Sequence, residues 1–229
     1  MMGSRGARVR ALGALLLVTL LAGSAFAQAP AYPGATWTRT SSPEQLGWSS
    51  EKLKEARAYA ATINTAALMV VVNGSVLDEW GETAKRFNVH SIRKSFLSAL
   101  YGIQVWEGRI HLSRTLADLG IDDRGSLTAI ETRATVADLL KARSGIYHPA
   151  LYETPEMAAA RPARGSYPPG GFWYYNNWDF NALGTIYERA AKTSIFEDFK
   201  SRVADPLEME DFRIEDGSYV RGPESIHAA

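Results

Sequence analysis

A single β-rich run limits the folds open to this chain. Ala66-Ala67-Leu68-Met69-Val70-Val71-Val72 is followed at once by Asn73-Gly74. β-Branched residues suit a pleated strand. The Asn-Gly pair tolerates positive φ at both central positions of a tight turn, so it predicts a β-hairpin. The returning strand is read over Ser75 to Trp80. Side chains alternate along a strand, which puts Leu68, Val70 and Val72 on one face and Met69 and Val71 on the other. A lone hairpin is marginal in water and needs a cover. The nearest candidate is a helix starting near Glu51, capped by Ser49 or Ser50, with Leu53, Ala56, Ala60 and Ile63 at helical spacing.

The rest of the chain reads as mostly helical. Ser91 to Glu107 carries Phe96, Leu100 and Ile103 on one face, with Gly108 as the stop. Thr135 caps a helix running through Leu139 and Leu140 and closed by Ser144-Gly145. Residues 147–171 are rich in proline, glycine and aromatic residues and read as a long irregular loop, a kind of segment often used for function. Trp178 to Ala191 and Ser194 to Val203 are two further helices. The expected class is α/β (α+β): an antiparallel sheet flanked by helices, plus a helical region. Residues 28–85 hold the lead-in, helix and hairpin, and residues 86–229 the helical part.

The first 27 residues stand apart from the fold. Arg5, Arg8 and Arg10 precede an apolar run from Ala11 to Ala22, and Ala25-Phe26-Ala27 supplies small residues at a cleavage-type site. This is the layout of a signal peptide over residues 1–27, cut after Ala27, with Ala27-Gln28-Ala29 as a second site. The expected location is periplasmic or secreted, with no membrane attachment after cleavage. The absence of cysteine rules out disulfides, thiolate metal sites and a cysteine nucleophile. A formal net charge of zero argues against a nucleic-acid binder driven by bulk positive charge. There is no G-x-S-x-G, no H-E-x-x-H and no phosphate-cradling glycine loop. Neither a metal nor a cofactor is expected.

Two short patterns carry chemistry. Ser91-Ile92-Arg93-Lys94 fits S-x-x-K. At helical spacing the lysine amine reaches the serine hydroxyl, and a lysine partly removed from water gives up its proton more readily. Serine needs such a base to become a nucleophile. Ser91 also falls near a helix start, where free N–H groups favour developing negative charge. Ser49-Ser50-Glu51-Lys52 matches the same pattern, but there Ser49 lies where a cap belongs. The second pattern, Y-x-N, occurs in two adjacent registers, Tyr174 with Asn176 and Tyr175 with Asn177. A tyrosine beside a lysine can act as general base. The dense aromatics Trp173, Tyr174, Tyr175 and Trp178 equally suit a buried cluster.

Taken together the patterns resemble the serine β-lactamase and penicillin-binding superfamily, most closely its class C β-lactamase-related branch with esterases and 6-aminohexanoate-dimer hydrolases. The likeness extends to Ser95-Phe96, Ser98-Ala99-Leu100-Tyr101-Gly102-Ile103, Thr135-Val136-Ala137-Asp138-Leu139-Leu140, Arg143-Ser144-Gly145, Pro169-Gly170 and Leu183-Gly184. In that family a helix glycine follows the motif tyrosine by nine residues. Gly184 stands nine after Tyr175, so the resemblance assigns the roles to Tyr175 and Asn177. It implies a β-lactamase/transpeptidase-like fold and an acyl-enzyme mechanism. Ser91 would be the nucleophile, Lys94 would assist its deprotonation, Tyr175 would be general base and then proton donor, and Asn177 would position Lys94 and the substrate carbonyl. The backbone N–H of Ser91 would be one oxyanion donor. The implied partner is a small-molecule or peptide-like substrate with an amide, ester or β-lactam carbonyl. A non-catalytic binding protein on the same scaffold is the alternative.

The chain departs from the family in one respect. The third motif, K-T-G or H-x-G, is missing, and Lys192-Thr193-Ser194 is a near miss between two predicted helices. The expectation is a truncated fragment, residues 28–229, lacking the C-terminal strands of the sheet. A degenerate protein that has lost them is the other reading.

Overall fold

The computed structural model describes residues 32–220, and the signal peptide expected over residues 1–27 lies outside them. Two compact units part between Phe87 and Asn88.

In the first unit, Ser49 caps α1 (Ser50–Thr62) by accepting the Lys52 N–H at 3.3 Å. Of the predicted stripe on α1, Ala60 is buried and Leu53 half-buried, while Ala56 and Ile63 are exposed. Ile63 is the C-cap, past the last helical residue, so helical spacing no longer sets its direction. β1 (Ala67–Val72) and β2 (Ser75–Gly81) pair antiparallel. They turn at Asn73 and Gly74, with φ of 50° and 80°. Met69 and Val71 are exposed, and Leu68, Val70 and Val72 half-buried, as alternation requires. β2 departs from that rhythm: Val76, Leu77 and Asp78 are buried in a row. The register explains it, because Val70 faces Asp78 while Val71 faces Val76, leaving Leu77 as the extra residue of a bulge. The buried Asp78 carboxylate is paired with Arg57 of α1, whose Nε donates at 2.8 Å. On its other side β2 is bridged in parallel by residues 38–40: Val76 N–H donates to the Thr38 carbonyl (2.8 Å), and Thr40 N–H to the Val76 carbonyl (2.9 Å).

The second unit is built around α2 (Arg93–Trp106) and α6 (Asn177–Ala191). Between them lie the short helices α3 (Leu116–Leu119), α4 (Val136–Leu140) and α5 (Pro155–Ala160), and α7 (Ile195–Phe199) follows. α2 buries Lys94, Leu97, Leu100, Tyr101 and Gln104. Phe96 is exposed and Ile103 half-buried, so the inward stripe is rotated from the predicted one. Two polar residues cause this, since both Lys94 and Gln104 turn inward to hydrogen-bond partners. The Tyr101 hydroxyl donates to the Leu183 carbonyl of α6 at 2.7 Å, tying the two helices together. Leu100, Leu116, Leu139 and Leu183 have no exposed surface, and each contributes about 1.5–3 kcal/mol by burial.

α3 and α4 begin with the same device. Thr115 and Thr135 each close a capping box with an aspartate three residues on, Asp118 and Asp138. The two starts are bridged, Leu116 N–H to Ala134 carbonyl (2.9 Å) and Val136 N–H to Arg114 carbonyl (3.0 Å). α4 stops at Leu140, before the predicted Ser144-Gly145, because Ala142 already takes a left-handed φ of 52°. α5 interrupts the expected loop, with Thr154 capping it at Met157 N–H (3.2 Å) and Pro155 in its first turn. The predicted helix from Ser194 becomes α7 and then a π-helical turn over Lys200–Ala204.

Candidate active site

Ser91 sits in a 3₁₀ turn, His90–Ile92, that runs straight into α2. His90 enters this turn with a positive φ of 43°, and its N–H donates to Asn88 Oδ1 at 3.1 Å. The turn presents Ser91 to solvent, while Lys94, one turn on, points inward with 8% exposure. An ammonium has three N–H donors and no acceptor. Lys94 Nζ places all three: on Ser91 Oγ (2.8 Å), Tyr175 OH (2.8 Å) and Asn177 Oδ1 (2.9 Å). The rings of Tyr175 and Phe180 each lie 5.0 Å from the same nitrogen.

The electrostatics loosen the protons of this group. Burial pushes the Lys94 ammonium below the ordinary lysine range. Its contact with Tyr175 opposes this, and the Arg93 charge adds to it. Burial alone would raise the Tyr175 phenol. Hydrogen bonding with Lys94 and Ser91 and the charges of Lys94 and Arg93 outweigh it, so the phenol ends below its usual value. A lysine and a phenol both held below their ordinary values beside the serine hydroxyl are an arrangement able to pass protons to and from it.

Asn177 opens α6. Its Nδ2 donates to the carbonyls of Leu151 (3.2 Å) and Tyr152 (2.8 Å), which leaves the amide oxygen for Lys94. The neighbouring register goes elsewhere. The Tyr174 hydroxyl donates to the Met157 carbonyl at 2.6 Å, and Asn176 caps α6 by accepting the Asp179 N–H at 2.8 Å. The structure therefore brings Ser91, Lys94, Tyr175 and Asn177 together and leaves Tyr174 and Asn176 out. The other S-x-x-K is also apart: Lys52 Nζ is held by Glu55 at 2.9 Å. Phe180 escaped the sequence reading, although it lies three residues after Asn177 on the same helix, a spacing that puts both on one face.

Behind Asn177, Asp179 is wholly buried, and burial pushes its carboxyl up to about 8, against hydrogen bonds from Ser144 and Asn176. The Ser144 hydroxyl donates to its Oδ1 at 2.5 Å. Gly145 lets this turn pass close to the loop: a Cβ there would stand 2.7 Å from the Tyr167 carbonyl, at a φ of 74°. Because the folded carboxyl titrates above its unfolded value near 3.8, the folded state binds the proton more tightly. Its stabilising effect is complete below the unfolded value and is lost as pH rises through about 8. Melting temperature should therefore fall as pH rises from about 4 to about 8, and Asp179→Asn should flatten that fall. A variant with the wild-type pH profile of melting would count against this assignment. Among the described residues no cluster of His, Asp and Glu could hold a metal ion.

Comparison with known proteins agrees with this architecture. The family model described as Beta-lactamase matches residues 51–224. The octameric penicillin-binding protein homologue from Pyrococcus abyssi is similar at 22% identity and TM-score 0.55, over 79% of this chain and 50% of its own. A class C beta-lactamase in complex with cefoxitin is similar at 17% identity and TM-score 0.52, over 70% and 51%. FmtA from Staphylococcus aureus is similar at 15% identity and TM-score 0.51, over 80% and 56%. The chain thus spans about half the length of these structures. No curated protein sequence matches it. With a family match over most of its length and a β-lactamase/transpeptidase-like arrangement of a two-stranded antiparallel sheet and helices, the chain belongs to the beta-lactamase family.

Proposed function

We propose that the protein is a serine hydrolase that opens an amide, ester or β-lactam carbonyl through an acyl-enzyme on Ser91. The observation that carries this reading is Lys94 Nζ, bonded at once to Ser91 Oγ, Tyr175 OH and Asn177 Oδ1. In the first half-reaction Ser91 Oγ attacks the carbonyl carbon and its proton passes to the Lys94–Tyr175 pair. The Ser91 N–H, at the start of the α2 turn, donates to the developing oxyanion. Tyr175 then returns the proton to the leaving nitrogen or oxygen as that bond breaks. In the second half-reaction a water gives its proton to the same pair and attacks the ester, and Ser91 recovers its hydrogen. Asn177 keeps Lys94 in place throughout, through its amide oxygen.

The family membership supports a hydrolase, and the likeness to a class C beta-lactamase solved with cefoxitin brings β-lactams into the substrate range. The basic and apolar start followed by Ala25-Phe26-Ala27 supports export with a cut after Ala27. One mass measurement tests both. The full chain, expressed with its leader in a Gram-negative host and incubated with a cephalosporin and a short aryl ester, should begin at Gln28 and gain one acyl group on the peptide containing Ser91. Absence of an adduct with every substrate, together with absence of turnover, overturns the hydrolase in favour of a non-catalytic binding protein. An intact leader overturns the export.

A further inference from the structure

A buried charge cluster lies next to the Asn177 contact and is used by none of the steps above. Asp123 Oδ2 accepts two hydrogen bonds, from the indole N–H of Trp178 (2.7 Å) and from Nδ1 of His148 (2.9 Å), and its Oδ1 accepts the Arg124 N–H at 2.8 Å. A carboxylate only accepts, so the hydrogen between Asp123 and His148 lies on Nδ1. Trp178 is 1% exposed and immediately follows Asn177 on α6. His148 is 8% exposed and stands three residues before Leu151. The carbonyls of Leu151 and Tyr152 are the acceptors that turn the Asn177 amide toward Lys94. Both partners of that contact, the helix carrying Asn177 and the loop carrying its acceptors, are thus tied to one oxygen of Asp123.

We propose that Asp123 is a positioning residue: by clamping Trp178 and His148 together it holds the Asn177 amide in register with Lys94. The loop is held at a second point by a separate contact. Glu131 lies beside His148 without a hydrogen bond to it, Oε1 standing 3.4 Å from Nε2, and Arg164 grips Glu131 with two N–H groups at 3.0 and 2.8 Å. Thr128 N–H also donates to Glu131, at 2.7 Å. Burial would raise the Glu131 carboxyl, but Arg164 and Thr128 bring it down to about 2, so it stays charged. His148 and Arg164 flank α5, so the stretch that holds Leu151 and Tyr152 is anchored on both sides of that helix.

This inference rests on the proposed acyl-enzyme reading for its effect on rate, and on geometry alone for its effect on Asn177. The test reads both in the full chain. The side-chain NH₂ resonances of Asn177, assigned by their loss in Asn177→Ala, report on the contact by hydrogen exchange. In Asp123→Ala their exchange should quicken at least about tenfold. The rate of Ser91 acylation at saturation should fall about 10- to 100-fold, with the half-saturating concentration unchanged, as expected for a displaced catalytic group. Asp123→Asn keeps one acceptor oxygen for Trp178 and should fall between Asp123→Ala and wild type on both scales. Because it is isosteric, it decides the matter if Asp123→Ala does not fold. Wild-type exchange of the Asn177 amide in a folded Asp123→Asn or Asp123→Ala protein overturns the clamp. Altered exchange in a protein that never acylates leaves the clamp standing and overturns the hydrolase.

Discussion

Replacing Ser91 with alanine should abolish covalent labelling by a fluorophosphonate or a fluorescent penicillin, while replacing Ser49 should leave labelling at the wild-type rate. The two serines share the S-x-x-K pattern and differ in what their oxygens do. Ser91 Oγ is exposed and bonded to a buried ammonium whose pKa is pushed down by its burial. Ser49 Oγ is committed to the Lys52 N–H as a helix cap, and Lys52 Nζ is neutralised by Glu55 in open solvent. No base serves it. Ser49→Ala should therefore cost stability alone, about 0.5–2 kcal/mol for a lost cap. For Ser91 the loss is total because the attacking atom itself is removed, and the exposed position of Ser91 leaves the fold intact. Labelling of Ser91→Ala at the wild-type rate, with the adduct mapped elsewhere, would mean that another hydroxyl is the nucleophile.

The hairpin could be read in advance because its signals are local. Asn73-Gly74 sets the turn, and the alternation of Leu68 to Val72 sets the faces. The bulge at Leu77 could not, since it serves a tertiary demand: it turns Asp78 inward to Arg57, 21 residues earlier in the chain. Short helices are hard to read where the cap is present but the helix is too brief to show a period. Thr115-Leu116-Ala117-Asp118 carries the same capping pattern as Thr135-Val136-Ala137-Asp138, but its helix ends at Leu119. At the site, the residues alone left two Y-x-N registers open. Asn176-x-x-Asp179 is an N-cap pattern, and reading it as one would have removed Asn176 from the choice. The Asp123 clamp joins residues 55 and 25 positions apart, and no spacing rule reaches across such a gap.

The second large effect belongs to the proton-transfer pair. Removing a general base typically costs about 10²–10⁴ in rate, and Tyr175→Phe and Lys94→Ala should each lose at least that much of Ser91 acylation. Tyr174→Phe should lose far less, because its hydroxyl only ties the chain to the Met157 carbonyl. The pair's electrostatics add a pH signature. Both Lys94 and Tyr175 are held below their ordinary values, Lys94 by its burial and Tyr175 by its bonds and neighbouring charges against burial. Acylation should thus rise with pH and level off below the usual lysine and tyrosine range. Arg93 pushes both groups in the same direction, and among the described residues it has no carboxylate partner to quench its charge, unlike the half-buried Arg161 and Arg202, which pair with Glu153 and Asp198. Arg93→Met should therefore shift the whole rising limb to higher pH while leaving the plateau rate nearly intact. Because the two groups share protons, that limb belongs to the pair and not to either residue. A dead Tyr174→Phe beside a nearly normal Tyr175→Phe would transfer the role to the other register, and a limb unmoved in Arg93→Met would remove Arg93 from the field that sets it.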